Sequence, residues 1–505
     1  MALALAAVSA SADVKLPAIV SDNMVLQGPK AILWGTASPR EAVKVKIGSK
    51  WGRAIAGADG KWTVTLQHLK SGGPYEMTIT GSNAITIHNV AVGEVWLCAG
   101  ASNMAFPVNG AANAPAEIAA AKFPMIRMFG GGKWEICDPS TVRMISAVAY
   151  FFGRDLHQKL KVPVGLIICS LSATPAEAWI APSALESKPE LKSLEDQWKA
   201  EAGSYPQAKE LPDGQLYAPQ KQESPQVNPA SPLASPTPRR RRAPDDTAEP
   251  SGAYNAMIAP LIPYSIKGVV WYQGEANTTD PRLYRTLFPT LIDSWRSAWG
   301  EGDFPFLFVQ LANFLPRSQE PSDSLWAELR EAQAQALKLP ATGMAVAIDI
   351  GDEHSLLPKN KEEVGARLAL AAEEVAYGMD ITGQGPLFTA MKIAGGKARV
   401  SFAQTGGGLT VKGGGPLKGF AMAGADKRYF PANAKIERNK VIVWSDKVPK
   451  PVAVRYAWAN TPDCNLYNKE GLPAAPFRTD DWAQTLPSNS SESTAPAAIA
   501  TRPPH

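Results

Sequence analysis

Apolar and polar residues alternate with a period of two through the first part of the chain. Residues 43–47 and 62–66 place an apolar side chain at every second position, and clusters of Gly, Asp and Ser separate such runs. Alternation of this kind between turn residues is typical of strands with one buried face. The pattern predicts a small β-sandwich over residues 13–92.

From residue 93 the pattern changes to continuous apolar runs alternating with helical periodicity. The apolar runs that we interpret as buried strands are residues 95–98, 164–169, 268–272, 304–311 and 343–350. The stretches with helical spacing are residues 144–160, 284–298, 324–337 and 361–377. Alternating strands and helices predict an α/β domain over residues 93–388, with a parallel sheet, helices on both faces and ligands at the carboxyl ends of the strands.

Three further segments differ in composition from this α/β region. Short strand-like runs among Gly-rich turns predict a C-terminal β domain over residues 389–482. Residues 203–251 are rich in Pro, Gln, Ser and Ala and are predicted to be a disordered insertion. Residues 483–505 have a similar Ser, Pro and Ala bias and are predicted to be a disordered tail.

The first twelve residues resemble part of an export signal. Residues 1–12 are largely apolar and end in Ala-Ser-Ala, a small-residue cleavage pattern, but they lack the basic residues that open a complete secretory signal. We therefore expect a secreted or periplasmic protein with an incomplete signal segment. No other stretch reaches the roughly 18 apolar residues that a membrane-spanning helix needs.

The charge balance and the cysteine spacing argue against nucleic-acid binding and against a metal site. The 51 basic and 47 acidic residues give a net charge of only +4, and much of that excess could come from the four arginines at residues 239–242. Nucleic acid is therefore not an expected partner. Cys98, Cys137, Cys169 and Cys464 lie too far apart for a zinc or redox motif, so no metal site is predicted.

Polar side chains follow three of the predicted buried strands. Ser102 and Asn103 come directly after the strand at residues 95–98, in a tight bend that includes Gly100. A serine at such a strand end can act as a nucleophile when a base lies nearby, although an ordinary turn has the same pattern. Polar clusters also follow the strands at 268–272 and 343–350, and the ends of parallel strands share one edge of a sheet. We expect a site there.

Motifs along most of the chain resemble the sialate O-acetylesterases, a branch of the Ser-Gly-Asn-His (SGNH) hydrolases. They are, in chain order, LPAIVSDNMVLQ, GEVWLC, SNM, AVAYFFGRDLHQKLKVPVGLI, TPAEAW, GVVWYQGE, LFPTLIDSWR, GDFPFLFVQLANF, PKNK and CNLYNKEGLPAAPFRTDDW. The resemblance covers about residues 14–482. It implies an SGNH-hydrolase-like α/β/α sandwich with a parallel sheet, flanked by N-terminal and C-terminal β domains. It also implies hydrolysis of O-acetyl esters on sugars, sialic acid foremost, without a metal or organic cofactor.

The resemblance also implies roles for individual residues. It makes Ser102 the nucleophile, and it places the oxyanion hole at the backbone amides of Ser102 and Ala173 and the side chain of Asn277. The residues assigned to the substrate pocket are Asn103, Gln273 and Glu275. The expected partner is an O-acetylated sugar or glycan, and no oligomeric state is implied.

The sequence departs from the family pattern at the site. Ala101 and Ala276 replace a glutamine and a serine, and Ser172-Ala173-Thr174 stands where the family has Gly-Gly-Thr. The family aspartate and catalytic histidine align with Ser355 and Leu357. Leucine cannot accept a proton, so we expect impaired catalysis. Oxyanion stabilisation and substrate binding alone would leave a residual rate about 10³ to 10⁴ times that of the reaction in water.

Three functional hypotheses follow from this departure. The first is a sialate O-acetylesterase with a damaged catalytic site, and the second is a non-catalytic protein that keeps the glycan pocket. The third is an esterase for an acetylated polysaccharide such as xylan. It would use His354, because Asp352-Glu353-His354 repeats the Asp-x-His spacing three residues early. The alternative for His354 is a solvated loop histidine.

Overall fold

The computed structural model describes residues 13–203 and 248–482. The predicted signal segment, most of the predicted insertion and the predicted tail lie outside the described residues. Within those ranges, no helix has the length and apolar content needed to cross a membrane.

Seven strands open the described chain. They are β1 (Val25–Gln27), β2 (Ala31–Thr36), β3 (Ala42–Ile47), β4 (Lys50–Ile55), β5 (Lys61–Leu66), β6 (Gly72–Thr80) and β7 (Ala84–Gly100). Strands β2 and β5 pair antiparallel, while β4, β3, β6 and the first half of β7 form a second antiparallel sheet. Strands β3 and β5 each bury every second residue, as the period-two pattern predicts.

Strand β7 belongs to two sheets. Residues 84–92 pair with β6, whereas residues 94–100 pair with strands of the next region. One continuous strand therefore runs through the predicted boundary between residues 92 and 93, and that boundary stays a prediction.

The central region is a mostly parallel sheet with helices. Its further strands are β8 (Phe123–Gly130), β9 (Lys133–Cys137), β10 (Val164–Ser170), β11 (Gly268–Tyr272), β12 (Phe306–Gln310) and β13 (Thr342–Val346). The helices are α1 (Ser102–Ala105), α2 (Ala114–Ala120), α3 (Ala147–Leu160), α4 (Pro182–Glu186), α5 (Pro189–Gly203), α6 (Pro281–Trp299), α7 (Leu325–Gln335) and α8 (Lys361–Val375).

The strand order places β7 at the centre of this sheet. The order is β13-β12-β11-β7-β10-β8-β9, with only β9 antiparallel to its neighbour. Later strands therefore lie on both sides of β7. Ligands of such sheets bind beyond the carboxyl end of the strand where the order reverses, which here is the end of β7.

Two tryptophans show that helices cover both faces. Trp96 on β7 is in register with Gly268 on β11, so Trp96 and Trp271 point to opposite faces. Trp96 contacts Phe152 of α3, whereas Trp271 contacts Phe288 of α6. The predicted α/β/α sandwich is confirmed.

Antiparallel strands form the C-terminal region. They are β14 (Leu387–Ala394), β15 (Lys397–Ala403), β16 (Leu409–Val411), β17 (Phe420–Ala423), β18 (Tyr429–Pro431), β19 (Asn433–Glu437), β20 (Lys440–Trp444), β21 (Ala453–Tyr456), β22 (Leu466–Asn468) and β23 (Phe477–Arg478). The fully buried Arg330 of α7 joins this region to the central one. Its guanidinium donates hydrogen bonds to four backbone carbonyls, those of Leu311, Ala312, Ala459 and Asn460.

Candidate active site

The turn that carries Ser102 depends on a glycine. Gly100 ends β7 with φ +144°, and a Cβ at this position would lie 2.1 Å from the carbonyl oxygen of Tyr272. Only glycine fits so close to a neighbouring strand. The next amide, that of Ala101, donates to the same carbonyl at 2.9 Å. The chain then turns into α1, which leaves Ser102 partly buried at the switch point of the sheet.

An amide that follows β10 faces this serine. The N–H of Ala173 donates to Ser102 Oγ at 3.1 Å. Ala173 is exposed and has φ +61°, in the left-handed region where a non-glycine residue is disfavoured by about 1–2 kcal/mol. The backbone donor that the family resemblance implied is therefore adjacent to the nucleophile candidate, although it lies in a strained conformation.

Asn277 is held from both ends of its amide. It lies in a short 3₁₀ turn after β11, and its Oδ1 accepts from the N–H of Ala176 at 2.9 Å. A backbone N–H only donates, so this contact fixes which end of the amide is oxygen. Asn277 Nδ2 donates to Glu177 Oε2 at 2.9 Å. The amide has two N–H donors, and the contact with Glu177 uses one of them. The oxyanion role of Asn277 stays a prediction.

Gln273 lies behind Asn277. Its side chain is fully buried, and Nε2 donates to Asn277 Oδ1 at 2.7 Å and to the carbonyl of Thr174 at 3.2 Å. Its Oε1 accepts from the Tyr284 hydroxyl at 3.1 Å. These contacts satisfy both amide donors and make Gln273 a brace between two strand ends. Its contact with a sugar stays a prediction.

Asn103 connects three segments next to the nucleophile. Nδ2 donates to Glu275 Oε1 at 2.6 Å and to the carbonyl of Leu356 at 3.1 Å, while Oδ1 accepts from Lys361 Nζ at 2.5 Å. Burial raises the pKa of Glu275, and the hydrogen bond from Asn103 partly offsets this. Burial lowers the pKa of Lys361 to about 7, against the opposing effect of the Glu275 charge. The end of β7, the end of β11 and the segment before α8 thus share one buried polar network.

The loop after β13 presents His354 to solvent. Asn313 anchors this loop by accepting hydrogen bonds from the amides of Gly351 and Asp352 at 2.7 and 3.1 Å. The side chain of His354 is 80% exposed, and its Nε2 lies 3.3 Å from Glu353 Oε1. In the described ranges no hydrogen bond joins His354 to Ser102. Its role as a base stays a prediction.

Leu357 lies in the part of this loop that meets α1. Asn103 holds the carbonyl of the preceding residue, Leu356, so the loop that carries Leu357 lies against the turn of Ser102. Ser355 Oγ accepts from the Leu357 amide at 3.3 Å. The two positions that align with the family aspartate and histidine therefore hold a hydroxyl and an alkyl group on either side of Leu356, whose carbonyl contacts the neighbour of the nucleophile candidate.

Asp349 has a structural environment. It accepts two hydrogen bonds from Arg367 of α8 at 2.6 and 2.9 Å and one from the Tyr467 hydroxyl of β22 at 2.7 Å. Burial raises the pKa of this carboxyl, but the hydrogen bonds and charge of Arg367 outweigh burial and hold it below its usual value. Asp349 therefore ties the end of β13 to α8 and to the C-terminal strands.

Two contributors to the site were not assigned from the sequence. Lys361 and Glu177 lie in the stretches PKNK and TPAEAW, which carried the resemblance without a role for either residue. Only the contacts with Asn103 and Asn277 reveal what they do. Among the described residues, no group of three or more His, Cys, Asp or Glu side chains is placed to hold a metal ion.

Comparison with known proteins identifies the family of this chain. The family described as carbohydrate esterase, sialic acid-specific acetylesterase, matches residues 248–374. The sialate O-acetylesterase of Rattus norvegicus is 31% identical over 76% of this chain and 78% of its own length, and that of Mus musculus is 29% identical over 94% and 96%. The crystal structure of a carbohydrate acetylesterase from Xanthomonas citri is 36% identical, has a TM-score of 0.79 and covers 93% of this chain and 100% of its own.

These matches cover most of the chain and all name acetylesterases. Both the N-terminal and the C-terminal β regions lie within the matched span, together with the strand ends that carry Ser102 and Asn277. The chain belongs to the sialate O-acetylesterase family.

Proposed function

We propose that this protein binds O-acetylated sugars, sialic acids foremost, and that Ser102 cleaves their acetyl esters at a rate limited by the lack of a base. The observation that carries the proposal is the 3.1 Å hydrogen bond between the Ala173 amide and Ser102 Oγ at the switch point of the sheet. It puts a fixed N–H donor beside a serine oxygen, as an acyl-transfer site needs.

The proposed reaction proceeds through an acetyl-enzyme. Ser102 Oγ attacks the ester carbonyl carbon, and the carbonyl oxygen takes up negative charge between the Ser102 and Ala173 amides and Asn277 Nδ2. The C–O bond to the sugar then breaks, and the sugar oxygen leaves with the proton that the Ser102 hydroxyl gives up. Water next attacks the acetyl carbon, the bond to Ser102 Oγ breaks, acetate leaves, and one proton of the water returns to Ser102 Oγ. Each oxyanion donor of this kind typically contributes about 10² to 10³ in rate.

The deprotonation of Ser102 is the weak step. A general base must come within about 2.6–3.2 Å of the serine oxygen or act through one water. Leu357 has no proton acceptor, Ser355 cannot orient one as an aspartate does, and His354 pairs with Glu353 in solvent. We therefore expect slow turnover in the native chain.

Restoring the two family residues tests the proposal. The restored variant carries Ser355→Asp and Leu357→His, and its matched control carries Ser355→Asp and Leu357→Phe, which supplies a ring without an acceptor. Acetate release from an O-acetylated sialoside is measured for both variants and for the native chain. The restored variant should exceed both by about 10²-fold or more, the usual contribution of a positioned base. Adding Ser102→Ala should abolish the gain.

Two outcomes would contradict the proposal. Fast turnover by the native chain that disappears with His354→Ala would mean that the loop rearranges to use His354. A restored variant that binds the sialoside but releases no acetate would favour the non-catalytic glycan-binding function. The same assay on acetylated xylan separates the proposed substrate class from the polysaccharide alternative.

A further inference from the structure

A lysine is fully buried beside the nucleophile turn. Lys361 is the first residue of α8, and no part of it is exposed. Its ammonium lies over the rings of Phe106 and Tyr272, 4.9 and 5.5 Å from their centroids. Buried lysines are rare because removing an ammonium from water is unfavourable unless charge or hydrogen bonds compensate. A role at this position would explain why the chain retains one.

The compensation comes through Asn103. Lys361 Nζ donates to Asn103 Oδ1, and Asn103 Nδ2 donates to Glu275 Oε1 at 2.6 Å, so one amide bridges an ammonium and a carboxylate. The remaining N–H of Asn103 is taken by the carbonyl of Leu356. Both N–H donors and the oxygen of the Asn103 amide therefore have hydrogen-bond partners, and Asn103 is 2% exposed.

The Lys361–Asn103–Glu275 bridge affects the position of Ser102. Asn103 is the next residue in the chain, so its side chain sets the orientation of the first turn of α1. Lys361 and Leu356 belong to the segment that also carries Leu357. The bridge therefore relates the position of the nucleophile to the position where the family has its base.

We propose that Lys361 is a positioning residue, which through Asn103 holds the Ser102 turn and the loop of Leu357 at the separation that acyl transfer requires. This inference rests on the proposed function, because it names a further residue on which that site depends. Lys361 itself does not contact Ser102 in the described network.

Kinetics of the restored variant test the inference. In that background Lys361→Met keeps an unbranched side chain that is one heavy atom shorter and removes the donor. Lys359→Met is the control because Lys359 is exposed two residues earlier. We expect Lys361→Met to lower kcat at least tenfold with KM changed less than twofold, for both an aryl acetate and the acetylated sialoside. Lys359→Met should leave both constants within twofold. An unchanged kcat in a folded Lys361→Met protein would overturn the inference, as would a loss confined to KM.

Hydrogen exchange in the native chain gives an independent result. Lys361→Met should accelerate amide exchange in peptides covering residues 101–106 and 354–360, and exchange across the C-terminal strands should be unchanged. If amide exchange at both segments is the same in Lys361→Met as in the native chain, the inference is overturned. An inactive restored variant would count only against the proposed function. Where Lys361→Met fails to fold, Glu275→Gln replaces it. It removes the opposing charge and should lower kcat in the same way, and an unchanged kcat would overturn the inference.

Discussion

Ala173 has a backbone conformation that alanine disfavours. With φ +61° it pays the steric penalty of the left-handed region, and it is exposed, so its methyl group contributes little packing. We expect Ala173→Gly to raise the free energy of unfolding by about 0.5–1 kcal/mol, because relief of strain exceeds the added flexibility of the unfolded chain. Urea unfolding of both proteins measures the change.

The control for this variant is a glycine substitution at Ala178. Ala178 is fully buried and is not among the residues with positive φ, so Ala178→Gly should destabilise the protein. A loss of stability with Ala173→Gly would mean that the alanine conformation is not strained.

The ionisation of Lys361 should appear in the pH dependence of stability. Its pKa is about 7 in the folded chain and about 10.4 when unfolded, so between these values only the unfolded state keeps the proton. The native chain should therefore gain stability relative to Lys361→Met as pH rises from 7 towards 10, by at most about 1.4 kcal/mol per pH unit. Below pH 7 the difference should be constant.

Denaturant unfolding at pH 6, 7, 8 and 9 measures this difference. Subtracting the variant removes the titration of distant groups, including the buried cysteine thiols whose pKa values burial raises. A difference that stays flat from pH 7 to 9 would show that the buried lysine keeps its proton throughout.

At the scale of elements, Asp349 joins β13, α8 and β22. Removing the charge with Asp349→Asn takes away the bidentate partner of Arg367, whose side chain is 3% exposed, and leaves it only Glu363 as an acidic partner among the described residues. The substitution should destabilise the protein by about 3 kcal/mol. The pKa of Asp349 is lowered by folding, so its contribution is present above the unfolded value of about 3.9 and is lost as pH falls through the folded value. The gap between native and variant should narrow below pH 4.

An exposed ion pair provides the comparison. Asp463 pairs with Lys418 at 3.0 Å, and both side chains are half exposed. Asp463→Asn should change the free energy of unfolding by less than about 0.5 kcal/mol. Equal effects of the two substitutions would contradict the structural role of Asp349.

Several elements could be predicted from the sequence because their patterns are local. The period-two alternation of β3 and the apolar run of β11 predicted strands within one residue of their observed ends. Strand β7 was predicted only over residues 95–98, because no local signal marks a strand that changes sheets. The positions of Ser102 and Asn277 followed from the family motifs, whereas the role of Lys361 depends on contacts across more than 250 residues.

At the scale of the whole molecule, Arg330 couples the central and C-terminal regions. Burial lowers its pKa to about 9, and its guanidinium is paired with backbone carbonyls from both regions. Arg330→Met would remove the hydrogen bonds to all four carbonyls, of which that of Ala312 keeps a second donor in Trp326 Nε1, and should destabilise the protein by about 3 kcal/mol or more. We expect the native chain to unfold in one calorimetric transition and the variant to melt in two steps, the C-terminal strands first.

The matched control is Arg317→Met. Arg317 is exposed in the loop that precedes α7, and its substitution should leave the transition temperature and shape unchanged. A single cooperative transition in Arg330→Met would mean that other contacts, such as Arg478 with Glu331, suffice to couple the regions.

The double membership of β7 also matters during synthesis. When the ribosome releases this strand, the partners of its first half, β6 and β1, already exist, so the N-terminal sheet can close at once. Its second half, residues 94–100, pairs with β10 and β11, and β11 begins only at Gly268. One edge of this apolar strand end can pair once β10 is made, but the edge that pairs with β11 stays open until residues 268–272 have been synthesised. Nascent chains of this protein should bind chaperones at this segment until β11 has emerged.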